Sequence, residues 1–321
     1  MKKVLANDGI SSAGKDRLEQ AGFTVSTDKV AQEDLGSVIN AEGYSALLVR
    51  SATQVRKDLI DACPDLDFIG RGGVGRENID VEYARNLGRR VENTPGASSR
   101  SVGELVMAHM FASARFLNQS YCDMPELGAK DFKRLKKAYA KGKELGGRTL
   151  GVVGFGRIGQ ETAKLGVGAG MKVIAFDPIS EQDTLHLDII GLDEPVQVPI
   201  ERVSMDDLLS RSDFISLHVP AQEDGSAVIA QEQFGKMKDG VVLVNAARGG
   251  VVDESALIEA LDSGKVGSAC LDVFVGEPEP RTDVLTHEKV ASSPHIGAAT
   301  MEAQERIGLE LAEKIINHFG D

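Results

Sequence analysis

The chain has 321 residues, room for two domains of ordinary size, and 42% of them are apolar. Its formal net charge of −13 argues against a nucleic-acid binder, which needs a basic face. Three widely separated cysteines, no apolar run of membrane-spanning length and no apolar stretch behind Lys2 and Lys3 point to a reduced cytoplasmic chain without disulfide framework, zinc or other metal motif, signal peptide or membrane contact.

In chain order, the strand-like runs KKVLAND, FTVSTD, SALLVR, DFIGRGG and RRVENT alternate with helical segments such as AGKDRLEQAG and QEDLGSVINAEG. Such alternation predicts an α/β fold with a parallel sheet covered on its faces by helices. GISSAGKD, residues 9–16, matches the phosphate-binding G-x-x-x-x-G-K pattern until its last position. Asp16 stands there in place of the hydroxyl that would hold Mg²⁺ and would repel a triphosphate, so the stretch reads as a turn and helix start. A first domain boundary is expected near Pro95-Gly96. The long periodic helix of residues 99–118 follows, with Ser99 or Ser101 as its cap and Glu104 three residues beyond Ser101.

Eight of residues 130–148 are Lys or Arg. They make either a solvated helix and loop or an arm that carries positive charge to an anionic substrate. A second alternating series starts at RTLGVVGFG and continues through KVIAFD, DFISLHVP, VVLVNAA, SACLDVF and KVASSPH. It is interrupted over 184–203, where period-two patterning on both sides of GLDEP predicts a projecting β-hairpin. The last segment is helical, with Ile307, Leu311 and Ile315 on one apolar stripe.

The chemistry concentrates at strand ends. Gly154-x-Gly156-x-x-Gly159 follows a strand and opens a helix, and Asp177 ends the next strand 18 residues after Gly159. That spacing predicts dinucleotide binding: a tight turn at Gly154, close backbone approach at Gly156, helix–strand packing at Gly159 and a ribose-binding acid at Asp177. Asp177 repels a 2′-phosphate, and Pro178-Ile179-Ser180 supplies no cation to hold one, which favours NAD over NADP.

Arg248, in NAARGG, leaves the end of another strand, where its fork can grip a carboxylate; a structural ion pair is the alternative. His295, in SSPHIGAAT, offers a base for a hydroxyl proton, or is a turn residue. Glu277, in DVFVGEPEP, could orient it. His218 ends a strand and suits the cofactor crevice. His109 reads as core or interface, His186 lies in the hairpin, and His287 and His318 read as solvent-facing.

The set GFGRIG, Asp177, HVP, NAARGG, LDVF-x-x-EP and PHIGA resembles the NAD-dependent D-2-hydroxyacid dehydrogenases over nearly the whole chain. LVRSATQV, IGRGGVGRENID and NTPGASSRSVGEL resemble the branch that oxidises D-3-phosphoglycerate to 3-phosphohydroxypyruvate in serine biosynthesis. The resemblance implies Arg248, Glu277 and His295 as the catalytic set, with Arg248 on the substrate carboxylate and carbonyl. It implies cofactor contacts from Val74, Gly154, Gly156, Arg157, Ile158, Gly159, Asp177, His218, Val219, Pro220, Ala246, Ala247, Arg248, Asp272, His295, Gly297 and Ala298. It places Arg50, Ser51, Arg71, Gly73 and Val74 on the substrate, two arginines suiting a phosphate beside a carboxylate. Lys136 and Lys137 lie near a further phosphate-binding position. Ser98 stands where many relatives carry Asn.

The implied architecture is two doubly wound parallel-sheet domains with the active site in the cleft. A flavodoxin-like substrate domain takes residues 1–97 plus 299–321. A Rossmann NAD-binding domain takes 98–298, with 99–148 as the dimerisation segment of a homodimer. A C-terminal regulatory domain, and feedback through one, is not expected. Reduction of glyoxylate, hydroxypyruvate or another 2-keto acid is the alternative activity. An NAD(H)-sensing co-repressor is the alternative of another class.

Overall fold

The computed structural model describes residues 2–320. The chain divides into two compact units, residues 1–101 with 298–321, and residues 102–297. In the first unit five strands alternate with helices. They are β1 (Lys3–Ala6), α1 (Ser12–Gln20), β2 (Thr24–Ser26), α2 (Leu35–Glu42), β3 (Tyr44–Val49), α3 (Lys57–Ala62), β4 (Phe68–Arg71), α4 (Val81–Asn86) and β5 (Arg90–Asn93). All pairs are parallel, and the order is β2-β1-β3-β4-β5, the flavodoxin-like arrangement.

The helix α5 (Ser99–Ala114) leads to α6 (Leu117–Ala138), which is kinked at Asp131. The expected caps are otherwise engaged: the Ser99 hydroxyl lies 3.5 Å from the Pro95 carbonyl and that of Ser101 lies 2.8 Å from Thr300 Oγ1. In the basic stretch every cation but Arg148 is exposed, the pattern of a solvated face.

The second unit continues through β6 (Thr149–Val153), α7 (Arg157–Gly168), β7 (Lys172–Phe176), β8 (Thr184–Leu187), β9 (Val196–Pro199) and β10 (Glu201–Arg202). Next come α8 (Met205–Arg211), β11 (Phe214–Leu217), α9 (Gln231–Lys236), β12 (Val241–Asn245), α10 (Glu254–Asp262), β13 (Val266–Leu271), α11 (Thr282–Leu285) and β14 (Val290–Ser292). Its seven-stranded sheet runs β10-β7-β6-β11-β12-β13-β14, all parallel, the Rossmann order with a seventh strand. The expected hairpin forms, β8 pairing antiparallel with β9. The final helix, α12 (Met301–Phe319), returns to the first unit.

The apolar runs that look continuous in sequence are divided by strand pleat. Val241 and Leu243 of β12 join one core layer and Val242 and Val244 the other. A sheet buried on both faces needs that composition. In the first unit Ile69 and Phe68 likewise face opposite layers, and Ile307, Leu311 and Ile315 of α12 fill the second. The helix α12 lies hard against α1: a Cβ on Gly14 would come within 2.6 Å of the Gly308 backbone. Among the described residues no helix is long and apolar enough to cross a membrane.

Candidate active site

Three glycines shape the turn from β6 into α7. Gly154 has φ +91, and a Cβ there would meet the His218 carbonyl oxygen at 2.5 Å. A Cβ on Gly159 would stand 2.0 Å from the Gly154 oxygen, so helix and strand touch through bare backbone. Gly156 is the N-cap of α7 and contributes no capping side chain; a Cβ there would meet nothing within 4 Å. The helix therefore presents its first N–H groups, and its partial positive charge, over open space. Arg157 and Ile158 form its first turn. Val219 packs on the loop, its Cγ1 2.9 Å from where a Gly154 Cβ would be.

Asp177 lies beside this turn. Its Oδ2 accepts from Phe155 N–H at 2.6 Å, and its Oδ1 from Ile179 and Ser180 N–H, both at 2.8 Å. A carboxylate offers about four acceptor sites, so one remains, on Oδ2. Burial alone would raise the acid's pKa; the three N–H donors and the Arg202 guanidinium outweigh it and hold the carboxyl below its ordinary range. The open helix terminus and this one free acceptor fit a pyrophosphate and a ribose hydroxyl. The local sequence offers no cation at Asp177, but the fold brings one from β10: Arg202 donates to the Asp177 carbonyl at 2.8 Å.

His218 follows β11. Its Nε2 pairs with Ser216 Oγ at 2.8 Å, and burial pushes the imidazole down to about 3, so it is neutral near pH 7.

The turn after β12 is cinched by buried Asn245, whose side chain accepts from Ala247 N–H at 3.1 Å and donates to the Arg248 carbonyl at 3.0 Å. Arg248 Nη1 donates to the Ala247 carbonyl at 2.7 Å. Gly249 then passes so close to the next loop that a Cβ would lie 2.0 Å from the Phe274 carbonyl oxygen. That loop carries Glu277, whose Oε1 accepts from Phe274 N–H at 2.8 Å and whose Oε2 lies 2.8 Å from His295 Nδ1. The carboxylate can only accept, so Nδ1 carries the hydrogen and Nε2 is the basic nitrogen of the neutral ring. His295 holds a left-handed φ of 54, a backbone state that bulky residues adopt where the surroundings impose it. Arg248, Glu277 and His295 line one recess of ≈ 360 Å³, walled also by Phe274 and Val275.

Four side chains brace these loops, and of them the sequence motifs single out only Asp272. Glu254 accepts from Val275 N–H at 2.8 Å and anchors the loop of Glu277. Asp272, 1% exposed, accepts from Ser293 Oγ and from Ile296 and Gly297 N–H at 2.6–2.9 Å, tying the end of β13 to the loop of His295. The resemblance implies Asp272 as a cofactor contact; its carboxylate is first of all a brace for this loop. Ser293 and Asn245 complete the set. His109 Nε2 lies 3.1 Å from Ser293 Oγ, and burial lowers its pKa against the pull of Asp272.

Other expected positions belong to the first unit. Arg71 ends β4 directly beside Val49, and Arg50 follows it on the neighbouring strand. A Cβ on Gly72 would lie 3.7 Å from Arg50 Cγ, and one on Gly73, at φ +142, would meet Arg71 Nη1 at 1.7 Å. The two arginines thus share one end of the five-stranded sheet. Ser51 is exposed, and the Val74 carbonyl accepts from Asn93 Nδ2 at 2.6 Å. Ala298 is also in this unit, its carbonyl accepting from Gln304 Nε2 at 2.9 Å.

The family model for the D-isomer specific 2-hydroxyacid dehydrogenase NAD-binding domain matches residues 107–297. A hydroxypyruvate reductase of Thermotoga maritima is 46% identical over 99% of this chain and 98% of its own length. A D-3-phosphoglycerate dehydrogenase of Archaeoglobus fulgidus is 39% identical over 98% of this chain, which spans only 57% of that relative. The structure of a D-lactate dehydrogenase from Aquifex aeolicus, solved with NAD and lactic acid, superposes with a TM-score of 0.75 at 27% identity, covering 100% of this chain and 96% of that one. The chain belongs to the D-isomer specific 2-hydroxyacid dehydrogenases, NAD-dependent oxidoreductases.

Proposed function

We propose that this chain oxidises D-3-phosphoglycerate to 3-phosphohydroxypyruvate, with Arg248, Glu277 and His295 as its catalytic residues. Bound NAD supplies the hydride acceptor. Arg248 holds the substrate carboxylate and polarises the C2 oxygen through its planar fork. His295 Nε2 takes the hydroxyl proton as C2 loses hydride, and returns it in the reverse direction. Glu277 fixes the His295 tautomer and stabilises the imidazolium that forms. Asp177 and the N-terminus of α7 receive the ribose and pyrophosphate of the dinucleotide.

The observation that carries the substrate assignment is the pair Arg50 and Arg71 at adjacent strand ends, two cations suited to a phosphate dianion. Hydroxypyruvate reduction is the second reading, favoured by the full-length similarity to the Thermotoga maritima enzyme. Exposed Phe111, Tyr121, Met124 and Phe132 on α5 and α6 support burial of that face against a second copy, giving a homodimer.

A panel of 2-hydroxy and 2-keto acids followed at 340 nm tests the substrate, with wild type and Arg71→Ala compared. Loss of a charge-assisted contact is worth about 1.5–3 kcal/mol, so the variant should lose ~10–100-fold in kcat/KM for the phosphorylated substrate and little for hydroxypyruvate. Equal losses on both would withdraw the phosphate assignment. Wild-type preference for hydroxypyruvate would favour the second reading.

A further inference from the structure

We propose that Arg202 is a positioning residue that sets the preference of this chain for NAD over NADP. The inference rests on Asp177 as the ribose acid and concerns what holds that acid in place.

After Asp177 the chain leaves the sheet in an exposed turn, with Ile179 90% accessible. Two N–H groups of the turn, Ile179 and Ser180, close on Asp177 Oδ1. An Asx turn of this kind is weak when only water surrounds it. Here Arg202 locks it. Its Nη2 donates to the carbonyls of Asp177 and Ser180, both at 2.8 Å, and its Nη1 to that of Gln182 at 3.1 Å. Bonds from a charged donor contribute more than neutral ones, and one planar fork engages three carbonyls of one loop. The guanidinium carbon lies 5.6 Å from the ring centre of Phe155, the residue between Gly154 and Gly156 whose N–H binds Asp177 Oδ2. One side chain therefore ties the ribose-acid turn to the glycine loop.

The hairpin of 184–199 explains how Arg202 arrives. The chain goes out through β8 and β9 and returns as β10 on the sheet edge, where Arg202 pairs with Ala175 of β7. That puts the guanidinium alongside the end of the strand that delivers Asp177.

Because only one acceptor site on Asp177 is left over by its three N–H donors, selectivity depends on where that oxygen points. It must meet a ribose hydroxyl and oppose a 2′-phosphate. A released turn loses both effects. The charge of Arg202 by itself acts the other way: removing a cation beside Asp177 would strengthen repulsion of a 2′-phosphate. The two roles thus predict opposite signs.

The test is fluorescence titration of the purified full chain with NADH and NADPH, without substrate, for wild type, Arg202→Met, Arg202→Lys and Asp177→Ala. Lys keeps the charge but not the fork. If Arg202 acts by positioning, Met and Lys variants both lower the NADH-to-NADPH affinity ratio by about 10-fold, the effect of losing one charge-assisted bond, with the Lys variant no better than partly rescued. An unchanged or increased ratio in the Lys variant overturns the proposal, and that variant carries the test if Arg202→Met does not fold. Asp177→Ala separates the two layers: if it leaves the ratio unchanged, the ribose assignment itself fails; if it abolishes the ratio while the Arg202 variants do not change it, only the role of Arg202 fails.

Discussion

The loop after β1 and the loop after β6 each bring glycines to the start of a helix, and the protein uses them differently. After β1, the Ser11 hydroxyl caps α1 by accepting from Gly14 N–H at 3.2 Å, and Gly14 is small because the Gly308 backbone lies against it. The nearby Asp8 carboxylate is met by Lys29, by Thr53 and by the N–H of Arg50. Burial would raise its pKa, and those donors hold it low instead. After β6, Gly156 caps without a side chain, its Cβ direction is empty, and Asp177 keeps an acceptor site. What separates a packing glycine from a ligand-binding one is what lies above it, another backbone or open space.

That contrast can be broken by substitution. The largest effect is expected at Gly156→Val, whose side chain would cover the open N–H groups. Losing charge-assisted bonds of about 1.5–3 kcal/mol should weaken NADH binding ~100-fold, while the thermal midpoint stays near wild type. Gly14→Val should do the reverse. Overpacking α1 against α12 costs about 1–3 kcal/mol in chemical denaturation, with NADH affinity of the folded fraction unchanged. A Gly14 variant that lost NADH instead would erase the distinction between the two loops.

The smallest effect sharpens the boundary of the open region at His218. Its folded pKa, about 3, lies below the ordinary histidine value, so the folded state binds fewer protons than the unfolded one between those values. This contribution to stability is full above pH ~6.5 and falls as pH drops toward 3. At pH 5.5 the loss amounts to about 1 kcal/mol. His218→Gln should therefore show a shallower loss of stability between pH 7 and 5 in urea titrations. Parallel curves for the two proteins would mean that the ring charges freely in the folded state.

Much of the architecture was legible because it is encoded locally. Turn glycines, β-branched runs and the period-two hairpin at 184–203 each leave a mark within ten or so residues, and the stripe of Ile307, Leu311 and Ile315 does the same for α12. The glycine loop and Asp177 were readable for the same reason. Arg202 was not, since its partners lie some 20–25 residues away and nothing in ERVS announces them. Asn245, Glu254 and Ser293 escaped too: a buried polar residue that braces a distant loop looks in sequence like any other Asn, Glu or Ser. The expected cap Ser101 shows the converse, a local signal overridden by a partner, Thr300, far along the chain.

Loss of a positioned general base typically costs about 10²–10⁴-fold, so the most direct measurement is the turnover of His295→Ala at 340 nm beside its NADH affinity. We expect turnover to fall through that range while NADH binds within a few-fold of wild type. Near-normal turnover in a folded variant would contradict the assignment of the proton to His295 Nε2.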